Sequence, residues 1–250
     1  MTSAPLVPVR DAVVLAAGNG DRFRNATKQS KLLQPVLGQP LIIRTLTTAA
    51  LAGVTSFDVV LGYQADAVRA VIERDAPSNV AVNFTINPDW HLENGVSALA
   101  VRDRLADRRF AVLMGDHLFE PAVLARLLRA WFGRGESVLA VDSRAADPAV
   151  AAEATKVRLE GDRITAIGKD LVDYDALDTG LFVCAPELFG ALEDSRAAGD
   201  TTLSGGIRRL AALGLMRAAD IGDAAWYDID TIDDLDVAES LLTAALPESA

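Results

Sequence analysis

The run Ala12-Val13-Val14-Leu15-Ala16-Ala17 ends directly on Gly18-Asn19-Gly20, and no other stretch constrains the fold as strongly. Unbroken apolar character suits a strand covered on both faces, as in a parallel sheet. The two glycines let the backbone turn tightly and line up successive N–H groups on an anion. Ligands of open α/β sheets bind beyond the carboxyl ends of strands, which is where this loop falls. A Gly-x-Gly turn by itself is equally compatible with a plain tight connection. Two other phosphate motifs are absent: a dinucleotide fingerprint needs a third glycine where Phe23 stands, and a P-loop needs Gly-Lys-Ser/Thr.

The rest of the first half alternates between strand and helix patterns. Strands are predicted at 11–17, 57–61, 80–86, 110–114 and 137–141. Helices are predicted at 40–51, 65–74, 95–105 and 121–132, with Asn94 placed to cap the third. This alternation predicts an α/β fold, a mostly parallel, doubly wound (Rossmann-like) sheet with helices on both faces. After residue 150 the pattern turns β-rich: 155–159 and 163–167 flank Glu160-Gly161-Asp162 as a hairpin. Further strands are predicted at 177–184, 216–221 and 226–229, and helices at 186–193, 203–213 and 233–246. With 250 residues and no repeat or long linker, one domain is expected over 1–250. Within it, 11–150 would be the nucleotide half, 151–232 an acceptor half, and 233–250 a C-terminal helix.

A net charge of −11 argues against non-specific nucleic-acid binding, because there is no basic excess to neutralise phosphates. Anionic substrates must then meet positive charge gathered locally. Of the 24 basic residues only Lys28, Lys31, Lys156 and Lys169 are lysines, as expected where a compact ammonium is needed instead of a planar fork. The single cysteine, Cys184, excludes an internal disulfide and lies in an apolar run, reading as a buried thiol. No signal peptide and no stretch long enough to span a bilayer is evident, so a cytoplasmic location is expected. The sequence leaves a homodimer open.

The chemistry concentrates in three places. Between Asp21 and Lys31 the chain is polar and basic, with Arg22, Arg24, Lys28 and Lys31, so a basic loop is expected over phosphates. Arg22 and Lys31 are the candidates for compensating a leaving pyrophosphate. Next, Phe110-Ala111-Val112-Leu113-Met114-Gly115-Asp116 sets a carboxylate at the end of a buried strand, suited to magnesium. A second carboxylate comes from Asp228-Ile229-Asp230-Thr231, where alternation points both aspartates the same way and leaves the choice open.

Leu-Ala-Ala-Gly-x-Gly-x-Arg over 15–22, then Lys31, Gly115-Asp116 and Asp228-Ile229-Asp230-Thr231, together resemble the sugar-nucleotidyltransferase superfamily from about residue 11 to 243. Asn87-Pro88-x-Trp90, Asn94-Gly95-x-Ser97, Asp116-His117, Thr155-Lys156-Val157, Ile167-Gly168-Lys169 and Asp178-Thr179-Gly180 are similar to cytidylyltransferases acting on inositol 1-phosphate. The resemblance implies transfer of a nucleoside monophosphate from a triphosphate, CTP favoured, to a small phosphorylated alcohol, with release of pyrophosphate. It implies that Asp116 and Asp230 hold Mg2+, and that Leu15, Ala16, Ala17, Gly18, Asn19, Gly20, Arg22 and Lys31 hold the triphosphate. Asn94, Gly95 and Ser97 would lie against the nucleotide; His117, Lys156, Lys169 and Asp178 would face the acceptor. Related enzymes use GTP with a cyclitol phosphate, or take hexose 1-phosphates or molybdopterin, and those substrates remain alternatives. A regulatory nucleotide-binding module would be expected to have lost one of Lys31, Asp116 and Asp230.

Overall fold

The computed structural model describes residues 8–20, 23, 28–130, 133–144 and 148–244. Strand β1 (Asp11–Ala16) pairs in parallel with β4 (Ser56–Leu61) on one side and β6 (Phe110–Met114) on the other. Its alternate residues are buried against opposite layers. Ala12, Val14 and Ala16 join one core with helices α1 (Leu41–Ala52), α2 (Ala65–Asp75) and α5 (Pro121–Arg129). Val13 and Leu15 join a second core with α3 (Asn94–Leu99), α7 (Glu187–Ala197) and α8 (Leu203–Ala212). The unbroken apolar run is thus explained by two buried faces, each large side chain contributing about 1.5–3 kcal/mol.

Among the described residues nine strands form one sheet, in the order β5-β4-β1-β6-β11-β8-β12-β10-β9. Here β5 is Ala81–Ile86, β8 Ser137–Asp142, β9 Lys156–Glu160, β10 Arg163–Gly168, β11 Ala176–Cys184 and β12 Met216–Asp220. The sheet is mixed. β5, β4, β1 and β6 run parallel, as do β8 and β12, but β11 is antiparallel to both β6 and β8. The strands expected as an elaboration after residue 150 therefore enter the main sheet, and β11 lies between two strands of the first half. The predicted hairpin forms as β9 and β10, and β9 also reaches β11. Cys184 is buried, which pushes its thiol up to about 12.

Several short elements escaped the sequence patterns. A 3₁₀ turn covers Lys31–Leu33, β2 (Pro35–Val36) pairs with β3 (Gln39–Pro40), and α6 spans Pro148–Glu153. β7 (His117–Phe119) pairs antiparallel with β13 (Trp226–Asp228), placing Asp228 opposite His117. The helix expected over 95–105 is divided into α3 and α4 (Arg102–Leu105), and Glu93 occupies the position preceding α3. Asn94 instead serves another helix: its Oδ1 accepts the Leu203 N–H at 2.8 Å, one of the unpaired donors at the start of α8. The last helix, α9, spans Asp233–Ala244. Among the described residues no helix is long and apolar enough to cross a membrane.

Candidate active site

Three chain segments far apart in sequence meet at the carboxyl ends of β1 and β6. The Gly115 N–H donates to the Leu15 carbonyl at 3.0 Å, so the turn after β6 is tied to the end of β1. From below, the buried Thr45 hydroxyl lies 3.1 Å from the Gly115 carbonyl and 3.3 Å from the His117 carbonyl. Asp116 projects from this turn. Lys31 arrives on the 3₁₀ turn that Ser30 opens, its Oγ accepting the Leu32 N–H.

The Lys31 Nζ lies 2.6 Å from Asp116 Oδ2 and 3.2 Å from Asp230 Oδ1, and donates to the Ile229 carbonyl at 2.9 Å. Burial opposes this charge, but the Asp116, Asp228 and Asp230 carboxylates outweigh burial and raise Lys31 above the usual lysine value. Asp116 is half-buried, yet Lys31 and His117 hold its carboxyl well below the usual range. Gly20, at φ 54, stands beside the lysine stem, where an added Cβ would lie 3.3 Å from Lys31 Cδ.

His117 forms a second charge pair. Its Nδ1 lies 3.0 Å from Asp116 Oδ1 and 3.3 Å from Asp228 Oδ1, and its ring stacks on Trp226. Burial lowers the imidazole, but Asp228 and Asp116 prevail and hold it at about 9, so it is a cation at neutral pH. Burial pushes Asp228 up to about 6, with His117 opposing, and among the described residues its Oδ1 is buried without a hydrogen bond. Alternation could not separate Asp228 from Asp230. The fold does, because β13 ends at Asp228, which faces His117, and the chain then turns so that Asp230 faces Lys31.

That turn is fixed by Asp234, a residue the sequence reading missed. Its carboxylate accepts the N–H groups of Asp230 (2.9 Å) and Thr231 (2.6 Å) and the Tyr227 hydroxyl (3.0 Å). Thr231 in turn accepts the Asp234 N–H at 3.3 Å. Thr231-Ile232-Asp233-Asp234 is a capping-box pattern, so a signal for this helix start was present.

Beside the charge cluster opens a cavity of about 630 Å³, whose wall includes Lys169, Arg144, Asp178, Trp226, Asp228 and Asp230. Because β11 is antiparallel, it brings its beginning to this edge of the sheet, with Leu181 opposite Leu113 of β6. Asp178 Oδ1 accepts the Gly180 N–H at 2.8 Å, and burial pushes this carboxyl up to about 6. Gly180 is required here: at φ 74 any Cβ would sit 2.6 Å from His117 Cδ2. Arg144 was not singled out from sequence, where it is one arginine among many. Its guanidinium pairs with both Asp142 oxygens at 2.9 and 2.8 Å, and Asp142 also accepts Trp226 Nε1.

The remaining candidates divide. Asn94 lines the cavity as well as serving α8. Gly95 packs on that same helix start, and Ser97 is buried behind it, its hydroxyl accepting from Asn87 Nδ2 at 3.0 Å. Lys169 lines the cavity, whereas the Lys156 ammonium donates to the Lys169 carbonyl at 2.7 Å and lies over the Tyr174 ring. Ala16 ends β1, the Ala17 carbonyl just beyond it accepts the Tyr63 N–H, and Gly18 and Asn19 continue into the loop. Arg22 lies outside the described residues.

The donor set suits a hard cation. Oxygens of Asp116, Ile229 and Asp230 already surround one positive group, the Lys31 ammonium. Among the described residues, Asp116, His117 and Asp228 also bring donor atoms within 4.8 Å of one another. Magnesium prefers oxygen donors to an imidazole nitrogen, which makes the carboxylates the better candidates.

Several known proteins are similar to this chain over most of its length. The chain is 38% identical over 237 residues to the bifunctional IPC transferase and DIPP synthase of Rubrobacter xylanophilus, covering 92% of this chain and 51% of that protein. It is 35% identical over 248 residues to the CMP-5'-(3-aminopropyl)phosphonate synthase of Streptomyces rubellomurinus, covering 90% of this chain and 37% of that one. The chain thus spans about half the length, or less, of these relatives. Among solved structures, the inositol-1-phosphate CTP transferase of T. maritima superposes with a TM-score of 0.82 at 25% identity, over 97% of this chain and 99% of that one. A UDP-glucose pyrophosphorylase complexed with UDP-glucose shares the fold, with a TM-score of 0.80 at 17% identity over 95% of this chain and 100% of that one. Residues 12–204 match the MobA-like NTP transferase domain, and the chain belongs to that family of nucleotidyltransferases.

Proposed function

We propose that this protein transfers a cytidylyl group from CTP to a small phosphorylated alcohol such as inositol 1-phosphate, releasing pyrophosphate, with Mg2+ as cofactor. The observation that carries this reading is the meeting of Lys31, Asp116 and Asp230 beside a cavity whose wall holds Lys169, Arg144 and Asp178. Asp116 and Asp230 would hold the magnesium ion. When bound, the ion supplies charge neutralisation at the triphosphate. The loop 18–20 offers backbone N–H groups to the phosphates, and Lys31 neutralises the departing pyrophosphate.

The acceptor brings its own nucleophile. An oxygen of its phosphate attacks the α-phosphorus in line, a P–O bond forms, and the bond to the β-phosphate oxygen breaks. The attacking acceptor oxygen is already ionised near neutral pH, so no general base is needed and positioning carries the rate. Lys169 and Arg144 supply positive charge for the acceptor phosphate, and Asp178 accepts hydrogen bonds from its hydroxyls. Cytidine is favoured because the solved relative is a CTP transferase and the Streptomyces relative a CMP-conjugate synthase. The latter supports a second acceptor class, an aminoalkyl phosphonate, whose ammonium would suit the acidic cavity wall. Pyrophosphate release should be measured with four triphosphates against inositol 1-phosphate, glucose 1-phosphate, choline phosphate and 3-aminopropylphosphonate, with and without magnesium. CTP with inositol 1-phosphate should lead, and only with the metal. Equal release with every acceptor, or none with CTP, would overturn the assignment.

A further inference from the structure

Gln64 stands between β4 and α2 with φ 49 and ψ 37, in the left-handed region. Among the described residues only Lys28, Leu37 and Gln64 are non-glycine residues with positive φ. Glycine or asparagine adopts this conformation readily; glutamine does so only at a cost. Gln64 also occupies the position before α2, where Ser, Thr, Asp or Asn would bond the free N–H groups of the first turn. Its side chain makes no such bond. A residue selected for the stability of this turn would be a different one.

The side chain reaches across to the basic loop instead. Its Oε1 accepts the Ser30 N–H at 2.9 Å, and its Nε2 donates to the Lys28 carbonyl at 3.1 Å. Lys28 is itself left-handed, at φ 59, so the amide grips the strained peptide on one side and the end of the loop on the other. The preceding Tyr63 donates its N–H to the Ala17 carbonyl at 2.9 Å, so one dipeptide touches the chain before and after the loop. Ser30 is buried and opens the turn that carries Lys31. The bonds from Gln64 thus end one residue from the ammonium that Asp116 and Asp230 surround.

We propose that Gln64 is a positioning residue for nucleotidyl transfer: it fixes residues 28–30 and thereby sets the Lys31 ammonium against the leaving pyrophosphate. This rests on the role given to Lys31 above. The test uses the full chain carrying Gln64→Asn or Gln64→Gly, both compatible with φ 49 and both too short for the grip. Melting temperature should stay equal or rise, because backbone strain is relieved. Turnover should fall about tenfold, the worth of two neutral hydrogen bonds, while the acceptor KM is unchanged. On a Lys31→Ala background the residual rate should show no further loss from Gln64→Asn. Wild-type turnover in both variants would overturn the proposal, as would a loss that tracks a lowered melting temperature or one that multiplies with Lys31→Ala. If Lys31→Ala itself turns over normally, the reading of Lys31 falls and this inference with it. An impaired Lys31→Ala beside an unimpaired Gln64→Asn removes Gln64 alone.

Discussion

Asp178→Asn should make the protein more stable and a worse catalyst, and pH should separate the two effects. Burial pushes the Asp178 carboxyl from 3.8 up to about 6, against the opposing Gly180 N–H and His117. Holding that carboxylate ionised in the native state at pH 8 costs about 3 kcal/mol, an upper value because cavity water screens it. The native carboxyl binds its proton more tightly than the unfolded one. The penalty is therefore absent below about pH 4, grows between pH 4 and 6, and is complete above. Asparagine keeps an oxygen for the Gly180 N–H at 2.8 Å and carries no charge. Urea unfolding followed by circular dichroism should show a gain of about 2–3 kcal/mol at pH 8 and roughly half of that at pH 5. The acceptor kcat/KM should fall about tenfold at pH 8, as a charged acceptor contact is weakened, and by less at pH 5, where the native carboxyl is already largely protonated. An unchanged unfolding midpoint at pH 8, or a gain that does not shrink at pH 5, would refute the argument from burial.

Lys169→Ala should raise the acceptor KM by roughly ten- to hundredfold, the loss of one charged hydrogen bond. Lys156→Ala should raise it only about threefold, because that ammonium holds the Lys169 carbonyl from outside the cavity. Calorimetric titration of CTP into each variant should give wild-type affinity, and a large drop would assign the lysine to the triphosphate instead. Gly180→Ala should destabilise the fold by at least about 1–2 kcal/mol through its φ of 74, and further through the contact of its Cβ with His117. A thermal melt unchanged from wild type would show that β11 and His117 can move apart freely.

The buried strands were legible because apolar runs such as 12–17 and 110–114 admit little besides a strand covered on both faces. Lys31, Asp116 and Asp230 were legible as motifs, but their contact was not, since it joins segments nearly 200 residues apart. Alternation along 226–230 placed Asp228 and Asp230 on one face. It failed beyond Asp228 because the strand ends there and Asp234 bends the backbone. Asn94 read as the cap of its own helix because local pattern cannot reveal that α8 begins alongside it. Lys156 and Lys169 looked equivalent as rare lysines, yet strand pairing turns one into the cavity and sets the other behind it. Gly180 carried its signal only in company with His117, 63 positions earlier in the chain.

The place of β11 bears on how this chain is made. β6 and β8 are complete by residue 142, but the strand that joins them ends at Cys184, roughly forty residues later. At about 5–20 residues per second, a ribosome takes some seconds to supply it. During that interval the inner edge of β6, with Ala111, Val112 and Leu113, has no permanent partner. An unpaired apolar edge is a template for pairing with another nascent chain. The antiparallel strand that carries Asp178 to the cavity wall is therefore also the one on whose arrival a clean exit from synthesis depends.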